Sequence, residues 1–402
     1  MPRKRRSGSD NDQNDMKKKI QKPGLKKIIF AAVDLLLIVA AAIGFFRMSS
    51  LSGLLDSQKE AERWKGSSDM EFAQISSFIP VDESFTLDSV GAFREEITKK
   101  LHEAALDVGT DEILFVDAWS CVNKVSVSSA LGKGDVAATA VGGEFFAFHP
   151  IKLISGSYIS SSDLMQDRVL LDEDTAWLLF GGTDIQGMTF KINGVPFVVA
   201  GVIEREQDFA SKKAYTDGMG IFMSYDGYNA AMNYSASAAA AADSSGSTAP
   251  AAAGSADIQC YELVMPNPVK NFALNFVKEK FPIKDAEIIS NTGRYTVSNL
   301  WKLVKAFDER AMQTKGVLYP YWENAARCIE NRAAMLLVVS AAALILPVLT
   351  ALVLIVKYAL VGKRKLEDDL LPKWKDSAEE AIRVRERRAW EKRHGVKNSE
   401  TE

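Results

Sequence analysis

Two long apolar runs, one near each end of the chain, are the strongest feature of its hydrophobic pattern. The first covers residues 28–46 and contains one charge, Asp34, and the second covers residues 333–356 and contains none. At about 1.5 Å of rise per residue, helices of these lengths span roughly 28 and 36 Å, against about 30 Å for the hydrocarbon core of a bilayer. The pattern therefore predicts two transmembrane helices, the second tilted or kinked at Pro347. A signal peptide is the alternative for the first run, which is longer than a typical signal core.

The segment between the two runs alternates strand-like and helix-like patterns. Residues 169–171 have the pattern of a buried strand, and the apolar helix predicted at residues 174–180 stops at Gly181. Residues 188–203 predict a β-hairpin, because Asn193-Gly194 separates two β-rich runs. This central stretch therefore mixes strands and helices.

Elements on both sides of the central stretch complete an α+β pattern. Residues 86–106 predict an amphipathic helix whose apolar stripe consists of Leu87, Val90, Phe93, Ile97, Leu101 and Ala105. Further strands are predicted at residues 71–79, 112–118, 124–127, 137–141, 261–265 and 287–289, and further helices at residues 51–65 (a stalk), 267–281 and 297–313. Residues 235–256 are an Ala/Ser/Gly-rich insertion with almost no charge, which predicts a disordered loop.

The order of these pieces from residue 51 to residue 228 resembles the periplasmic core domain of MacB-type ABC transporter permeases. In that family a glycine and an aspartate precede a buried strand, a helix ending in Leu-Phe-Gly, and a hairpin with spaced glycines. The matching positions here are Gly156, Asp163, Val169, Leu170, Leu171, Leu179, Phe180, Gly181, Asp184, Gly187, Phe190, Ile192, Gly194, Phe197, Val199, Gly201 and Val202. Tyr158 and Ile185 depart from the family's usual Phe and Pro.

The resemblance implies an α+β extracytoplasmic domain of two lobes, residues 47–332, between two transmembrane α-helices. It also implies a permease-like, non-ATPase subunit of a MacB/FtsX-type assembly, which couples the motion of a cytoplasmic ATPase to this outer domain. Permeases of that family have four spans and a coupling segment after the second span. This chain has two predicted spans, and residues 363–367 echo the coupling segment only weakly. A second permease subunit or a homodimer would then supply the further spans.

The distribution of charge predicts the orientation in the membrane. Residues 1–27 contain ten Lys/Arg against three Asp, and residues 357–402 contain thirteen Lys/Arg against ten Asp/Glu, whereas the segment between the spans is acidic. Basic flanks stay in the cytoplasm. We therefore predict a plasma-membrane protein with a disordered basic tail at residues 1–27 and a charged helical tail at residues 357–402, both cytoplasmic. The charged helix at residues 377–393 is either a contact for an ATPase or a helix that is solvated or lies on the lipid surface.

Five positions are candidates for membrane or mechanical roles: Asp34, Trp64, Tyr319, Trp322 and Pro347. Asp34 is an intramembrane carboxylate, for which the alternatives are pairing across a helix interface and hydration near the inner leaflet. The aromatic residues at 319–322 fit a membrane–water belt, with a ligand-stacking patch as the rival interpretation.

The sequence contains no pattern that predicts catalysis. It lacks a P-loop and the common zinc, hydrolase and dinucleotide motifs, and its three histidines are scattered. The acidic residues 172–174 fit a helix N-terminus better than a cation site. A disulfide between Cys121 and Cys260 is an alternative to two free, buried thiols. We therefore expect no enzyme activity, no cofactor or metal, and no nucleic-acid partner.

Two functions remain as hypotheses at this stage. The first is the permease-like subunit, with an ABC-type ATPase subunit, further membrane chains and membrane lipid as its partners. The second is a two-span scaffold or sensor whose outer domain binds a protein, a peptide or a cell-wall ligand without transport. An outer-domain hydrolase is a third and weaker alternative, because no nucleophile–base pair is visible.

Overall fold

The computed structural model describes residues 24–106, 114–215, 218–242, 256–307 and 316–394. These residues fall into two units. One consists of residues 46–337, and the other of the described residues before 46 and after 337. The predicted basic tail at residues 1–27 lies almost entirely outside the described residues.

Ten strands form a single sheet in the larger unit. They are β1 Phe72–Phe78, β2 Val116–Ser128, β3 Lys133–Gly143, β4 Leu153–Gly156, β5 Arg168–Asp172, β6 Thr189–Ile192, β7 Val195–Ile203, β8 Gly220–Ser224, β9 Cys260–Pro266 and β10 Glu287–Ser290. Their order is β10-β1-β9-β2-β3-β8-β5-β7-β4, and β6 pairs with β2 and β7. The β3–β8 and β5–β7 pairs are parallel and the others antiparallel.

The helices are numbered in chain order. They are α1 Leu25–Ser52, α2 Glu60–Lys65, α3 Leu87–Glu103, α4 Phe145–Phe148, α5 Glu173–Phe180, α6 Phe209–Ala214, α7 Tyr225–Ala242, α8 Phe272–Lys280, α9 Val297–Lys305, α10 Tyr321–Lys365 and α11 Leu371–His394. A 3₁₀ turn at Asp56–Gln58 follows α1, and a π-helical turn at Leu366–Leu370 separates α10 from α11. The domain is therefore a mixed α/β fold, with an apolar helix on each side of it in sequence.

The sheet buries side chains on both of its faces, because successive residues of a strand point in opposite directions. On one face, Ile75 of β1 and Leu263 of β9 belong to a core that also contains Val90, Phe93, Ile97 and Leu101 of α3. On the other face, Phe78 and Val264 belong to a second core with Phe145 of α4 and Trp322 of α10. The two predicted lobes thus share one continuous sheet.

The local signals in the central stretch are confirmed. Helix α5 ends at Gly181, which is in the left-handed conformation at φ 72°. The hairpin of β6 and β7 turns at Asn193 and Gly194, both with positive φ. Asp172 caps α5 by accepting a hydrogen bond from the Thr175 amide over 2.7 Å, so the acidic residues 172–174 do serve a helix N-terminus.

Several predicted elements differ from the structure. The strands predicted at residues 112–118 and 124–127 meet in one strand, β2, because its register with β3 runs unbroken from Ala118 to Ser128. Residues 112 and 113 of the first prediction lie outside the described residues. The predicted stalk helix at residues 51–65 is broken after Ser52, where Gly53 lies in a turn.

The low-complexity insertion is partly helical. Helix α7 continues to Ala242, because a run of alanines has high helix propensity, so the first residues of this segment are not a loop. The remainder of the insertion up to residue 255 lies outside the described residues, as do residues 308–313 of the helix predicted at residues 297–313.

The cysteine disulfide is absent, and the sheet explains why. Cys121 and Cys260 are both free and buried. Cys260 pairs with Ser120 of β2, and Cys121 is the next residue, so the two thiols lie in the cores on opposite faces.

The smaller unit consists of residues 25–45 of α1 and residues 338–365 of α10 together with α11. Two helices of the described chain, those starting at Leu25 and Tyr321, are long and apolar enough to span a membrane. They contain the predicted spans at residues 28–46 and 333–356. Helix α10 stays helical through Pro347. Helix α11 contains the charged helix predicted at residues 377–393.

Candidate functional site at the root of helix α10

Arg294 forms the centre of a buried charge cluster around the first turns of α10, a region that we call the root. Its Nη1 and Nη2 donate hydrogen bonds to the two carboxylate oxygens of Glu323 over 2.8 and 2.7 Å, and Nη2 also donates to Glu330 over 3.0 Å. Nε lies 2.9 Å from Glu330 without hydrogen-bond geometry, so that contact is purely electrostatic. Glu323 and Glu330 are two helical turns apart, which places both carboxylates on the same face of α10.

Burial and charge act in opposite directions on Arg294. Its side chain is 2% exposed, and burial alone would disfavour the charged form. The two carboxylates of Glu323 and Glu330 outweigh this effect and hold the pKa of Arg294 well above its ordinary value. The guanidinium is therefore permanently charged, and it binds α10 through two residues at once.

A second cation extends the cluster toward β10. Arg327 donates to Glu323 over 2.7 Å from Nε and to Glu287 over 2.5 Å from Nη2. Its guanidinium carbon lies 3.8 Å from the ring centroid of Tyr319, whose hydroxyl donates to Glu287. Burial, together with this hydrogen bond, raises the pKa of Tyr319. The root is thus attached to the edge strand β10 as well as to the loop that carries Arg294.

Two stacked tyrosines attach the root to α6. The rings of Tyr215 and Tyr321 stack with centroids 4.2 Å apart. Both hydroxyls donate to the carboxylate of Glu206, that of Tyr321 over 3.1 Å. Burial, with the Glu206 charge added, raises the pKa of both phenols, so both keep the proton that these bonds require.

Trp322 packs into the core on the root's face of the sheet. It is 3% exposed, and its ring lies 5.5 Å from Phe145 and 4.5 Å from His149. Its indole Nε1 is buried and has no hydrogen-bond partner among the described residues. The imidazole of His149 in turn lies 2.5 Å from a carboxylate oxygen of Glu262 on β9.

A chain of buried polar groups connects this histidine back to Arg294. Glu262 accepts a hydrogen bond from Ser76 over 3.0 Å, and Ser76 accepts one from the amide of Asn291 over 2.9 Å. The amide oxygen of Asn291 then accepts from Arg294 Nη1 over 3.2 Å. Networks of this kind are costly to break in part, because each removed member leaves its neighbours unsatisfied. The root is therefore held by a connected network.

The segment after α1 reaches the same part of the domain. Gln58 accepts a hydrogen bond from Arg294 over 3.2 Å. Leu55 lies in one apolar cluster with Ala325, Ala326 and Ile329 of α10. The residues that follow α1 and those that begin α10 thus share contacts within the larger unit.

Helix α2 contains an ion pair between two of its own residues and is attached to the domain by two hydrogen bonds that involve backbone groups. Arg63 donates to Glu60 over 2.7 Å and to the carbonyl of Ala147 over 2.7 Å, while the Glu60 amide donates to Gln74 over 3.0 Å. Burial raises the pKa of the Glu60 carboxyl, and the Arg63 charge partly offsets this. Trp64 packs against the core on the root's face.

The structure brings three of the five predicted positions together and leaves two elsewhere. Trp64, Tyr319 and Trp322 all pack in or against the core on the root's face. Asp34 and Pro347 lie in the other unit. There, Asp34 Oδ1 is buried and has no hydrogen-bond partner in the described part of the chain.

The predicted membrane–water belt is wrong for these aromatics. Trp322 is buried inside the domain, and the hydroxyls of Tyr319 and Tyr321 bond to glutamates of the domain. A belt requires aromatic side chains at the lipid–water boundary, whereas packing and hydrogen bonds commit these to the protein. The sequence signal was ambiguous because a helix root and an interfacial belt both favour Tyr and Trp.

The central residue, Arg294, was missed by sequence analysis. It lies in a polar loop, and nothing in the residues around it distinguishes it from a solvated arginine. The spacing of Glu323, Arg327 and Glu330 was a usable signal, because it places alternating charges on one face of a helix that enters an apolar run. Within the described residues, no cluster of three His, Cys, Asp or Glu has the geometry of a metal site.

Just over half of the chain matches the model of a known protein family, and two solved structures are similar to it at low sequence identity. A family model described as the MacB-like periplasmic core domain matches residues 47–257, just over half of the chain. The extracellular domain of the ABC-type transporter YknZ from Gram-positive bacteria is similar at 12% identity and a TM-score of 0.34, with 55% of this chain and 100% of that one covered. The periplasmic region of MacB from Actinobacillus actinomycetemcomitans is similar at 12% identity and a TM-score of 0.35, with 60% of this chain and 94% of that one covered. None of the curated proteins matches the chain by sequence.

The family match spans the sheet from β1 to β8 and the segment that joins α1 to it. An α/β core with an apolar helix before it and another after it is the arrangement of a membrane protein with an extracytoplasmic segment. Because the model of the MacB-like periplasmic core domain matches more than half of the chain, the chain belongs to the MacB/FtsX-type ABC transporter permease family.

Proposed function

We propose that this chain is a permease-like, non-ATPase subunit of a MacB/FtsX-type ABC transporter assembly and passes the motion of a cytoplasmic ATPase to its extracytoplasmic domain. The observation that supports this most directly is helix α10. It is one helix of 45 residues that contains both the second candidate span and the root bound by Arg294. Displacement of such a helix along its axis would carry the root with it.

The buried ion pairs of the root favour movement of the domain together with α10 over sliding of α10 past the sheet. Sliding α10 past the sheet would separate Glu323 and Glu330 from Arg294 and leave the buried guanidinium without a carboxylate. Breaking a buried ion pair by removing one partner costs about 3–5 kcal/mol. The root should therefore follow the movement of α10 as part of the domain.

The orientation and the partners are part of the same proposal. Both termini would be cytoplasmic, with residues 47–332 outside the plasma membrane. The ATPase would contact α11, whose sequence is rich in arginine and glutamate. A second permease subunit or a second copy of this chain would supply further spans, in contact with membrane lipid.

Affinity purification of the full-length protein from mildly solubilised membranes, followed by mass spectrometry, tests the proposal. We expect an ABC-type ATPase and a further membrane chain to co-purify. A variant lacking residues 377–393 is the matched control, because it removes the proposed contact and keeps both spans and the outer domain. Recovery of the intact protein as a single species would contradict the proposal. Recovery of equal amounts of ATPase with the intact protein and with the deletion variant would contradict the contact at α11.

A second candidate function is a two-span scaffold or sensor whose outer domain binds a protein, a peptide or a cell-wall ligand. The observation that favours it is the number of spans, since the described residues contain two helices of spanning length where the resembled permeases have four. It predicts that deleting residues 377–393 changes neither the partners nor the outer-domain binding of the protein.

A further inference from the structure

A cavity of about 280 Å³ lies in the outer domain beside the root. Its floor is formed by small residues of the sheet, Ala137 and Thr139 of β3 and Gly220 of β8. Larger side chains at these positions would fill the space, as they do elsewhere on this face, where Phe78 and Leu170 pack into the core. The volume is that of a small organic molecule or of one terminal residue of a peptide.

The walls of the cavity are aromatic. Tyr215, Tyr319 and Tyr321 line it, together with Pro320. The three hydroxyls are already committed to Glu206 and Glu287. The tyrosines therefore contribute apolar ring surface, and a planar or aromatic group is the complement that such a wall favours.

The polar groups of the cavity have hydrogen-bond donors to spare and a saturated acceptor. Asp172 accepts from the Thr175 amide over 2.7 Å, from the Gly220 amide over 2.6 Å and from Arg205. Arg205 uses Nη2 for that bond, and its guanidinium makes no other hydrogen bond among the described residues. The guanidinium also lies over the ring of Tyr215 at 4.6 Å, which fixes its plane at the cavity wall.

We propose that this cavity binds a small carboxylate with an aromatic body. Arg205 would donate to the carboxylate through its unused N–H groups, which is the geometry in which guanidinium and carboxylate bind most strongly. The aromatic body would lie on the tyrosine-lined wall. Two sources share this chemistry, a free aromatic acid and the C-terminal aromatic residue of a peptide. The inference goes beyond the proposed function and does not require an ATPase partner.

Calorimetric titration of the full-length protein in detergent with N-acetyl-L-phenylalanine tests the proposal, with N-acetyl-L-phenylalanine amide as the matched uncharged probe. The acid should bind, and the amide should bind at least about tenfold more weakly, because it cannot form the charge-assisted pair with Arg205. Equal binding of acid and amide would overturn the assignment of the carboxylate to Arg205. Absence of acid binding up to about 10 mM would overturn the site itself.

Three variants separate binding in the cavity from the general stability of the domain. Ala137→Leu fills the floor and leaves Arg205 and its pair with Asp172 in place, so binding of the acid should fall by at least about tenfold. Thr189→Leu makes a similar apolar addition at an exposed position of β6 outside the cavity, and it should bind the acid like the parent protein. Arg205→Lys keeps the positive charge but loses the paired N–H donors of the guanidinium. It should weaken binding of the acid more than binding of the amide. Unchanged binding in Ala137→Leu would place the ligand elsewhere and overturn the proposal.

The source of the carboxylate is decided by a further probe, the tetrapeptide Ala-Ala-Ala-Phe with a free C-terminus. Tighter binding of the peptide than of the single acid would identify a peptide C-terminus as the ligand. Binding of the acid without binding of the peptide would identify a free aromatic acid. In either case Ala137→Leu must abolish the preference, and a preference that survives this substitution contradicts the proposal.

Discussion

Arg294 shows how much one side chain contributes to the attachment of α10. It is buried, bidentate to Glu323 and also bonded to Glu330, Asn291 and Gln58. A buried ion cluster adds little net stability against apolar residues of the same shape, but removal of one member leaves the other charges without a partner. The role of Arg294 is therefore best tested by its removal.

Replacing Arg294 with Met should lower the free energy of unfolding by about 3–5 kcal/mol, because Glu323 then keeps only Arg327 and Glu330 loses its bonds to Arg294. Thermal unfolding of the full-length protein measures this loss. Lys124→Met, at an exposed position of β2, is the control and should change stability by less than about 0.5 kcal/mol. A loss no larger than that of the control would contradict this account.

The buried thiols should be almost inert in the folded protein. Burial raises the pKa of Cys121 to about 12, so its thiolate fraction at pH 8 is on the order of 10⁻⁴, and burial raises that of Cys260 as well. We expect iodoacetamide at about pH 8 to label the half-buried Cys328 first, and the other two only as the pH approaches the raised values. Mass spectrometry of digests gives the order of labelling. Rapid labelling of Cys121 in the folded protein would contradict the burial of its thiol.

At the residue scale the sequence predicted local chemistry better than long-range partners. The acidic residues 172–174 were assigned to a helix N-terminus, and Asp172 caps that helix. The pairing of Arg294 with Glu323 did not, because the two residues belong to different elements and meet only through the folding of the sheet. Trp322 was placed at the wrong surface for the same reason, since its neighbours Phe145 and His149 lie far away in sequence.

The elements were predicted where a turn or cap signal marked their ends. Asn193-Gly194 and Gly181 fixed the hairpin and the end of α5, and both are confirmed. The parallel pairing of β3 with β8 was not predictable, because no local signal records which distant strands become neighbours. The break between α1 and α2 was also missed, since a single Gly53 in a polar stretch is compatible with a weak helix.

A pair of adjacent glycines tests the left-handed stop of α5. Gly181 has φ 72° whereas Gly182 does not have positive φ, and a Cβ at either position would meet nothing within 4 Å. Gly181→Ala should therefore destabilise the protein by about 1 kcal/mol through backbone strain alone. Gly182→Ala should be neutral or stabilising by up to about 0.5 kcal/mol. Unfolding midpoints of the two variants measure the difference, and equal midpoints would contradict the assigned backbone conformation.

The predicted orientation in the membrane depends on the distribution of charge along the whole molecule. Basic residues flank both candidate spans on the sides assigned to the cytoplasm, and the outer domain is acidic. The family assignment places the domain outside the membrane in its relatives, but the positions of the two ends of this chain rest on the charge pattern. That pattern has a direct experimental check.

Single cysteines introduced into a Cys328→Ser protein should show on which side of the membrane each position lies. Leu164 is 99% exposed in the outer domain, and Leu164→Cys should react with a membrane-impermeant maleimide on intact cells. Trp374 is 77% exposed on α11, and Trp374→Cys should react only after the cells are permeabilised. The parent Cys328→Ser protein is the control, because its two remaining thiols are buried. Labelling of Trp374→Cys on intact cells would reverse the predicted topology.

Strand β2 hydrogen-bonds to β9, β3 and β6 and so joins the β10-β1-β9 part of the sheet to the part that runs from β3 to β4. Since no gap in the strand order separates the halves, the outermost strands β10 and β4 keep a constant separation while the backbone hydrogen bonds between them last. Under the proposed function, the domain would therefore move as one body, and a protein docked at either edge of the sheet would be carried with it.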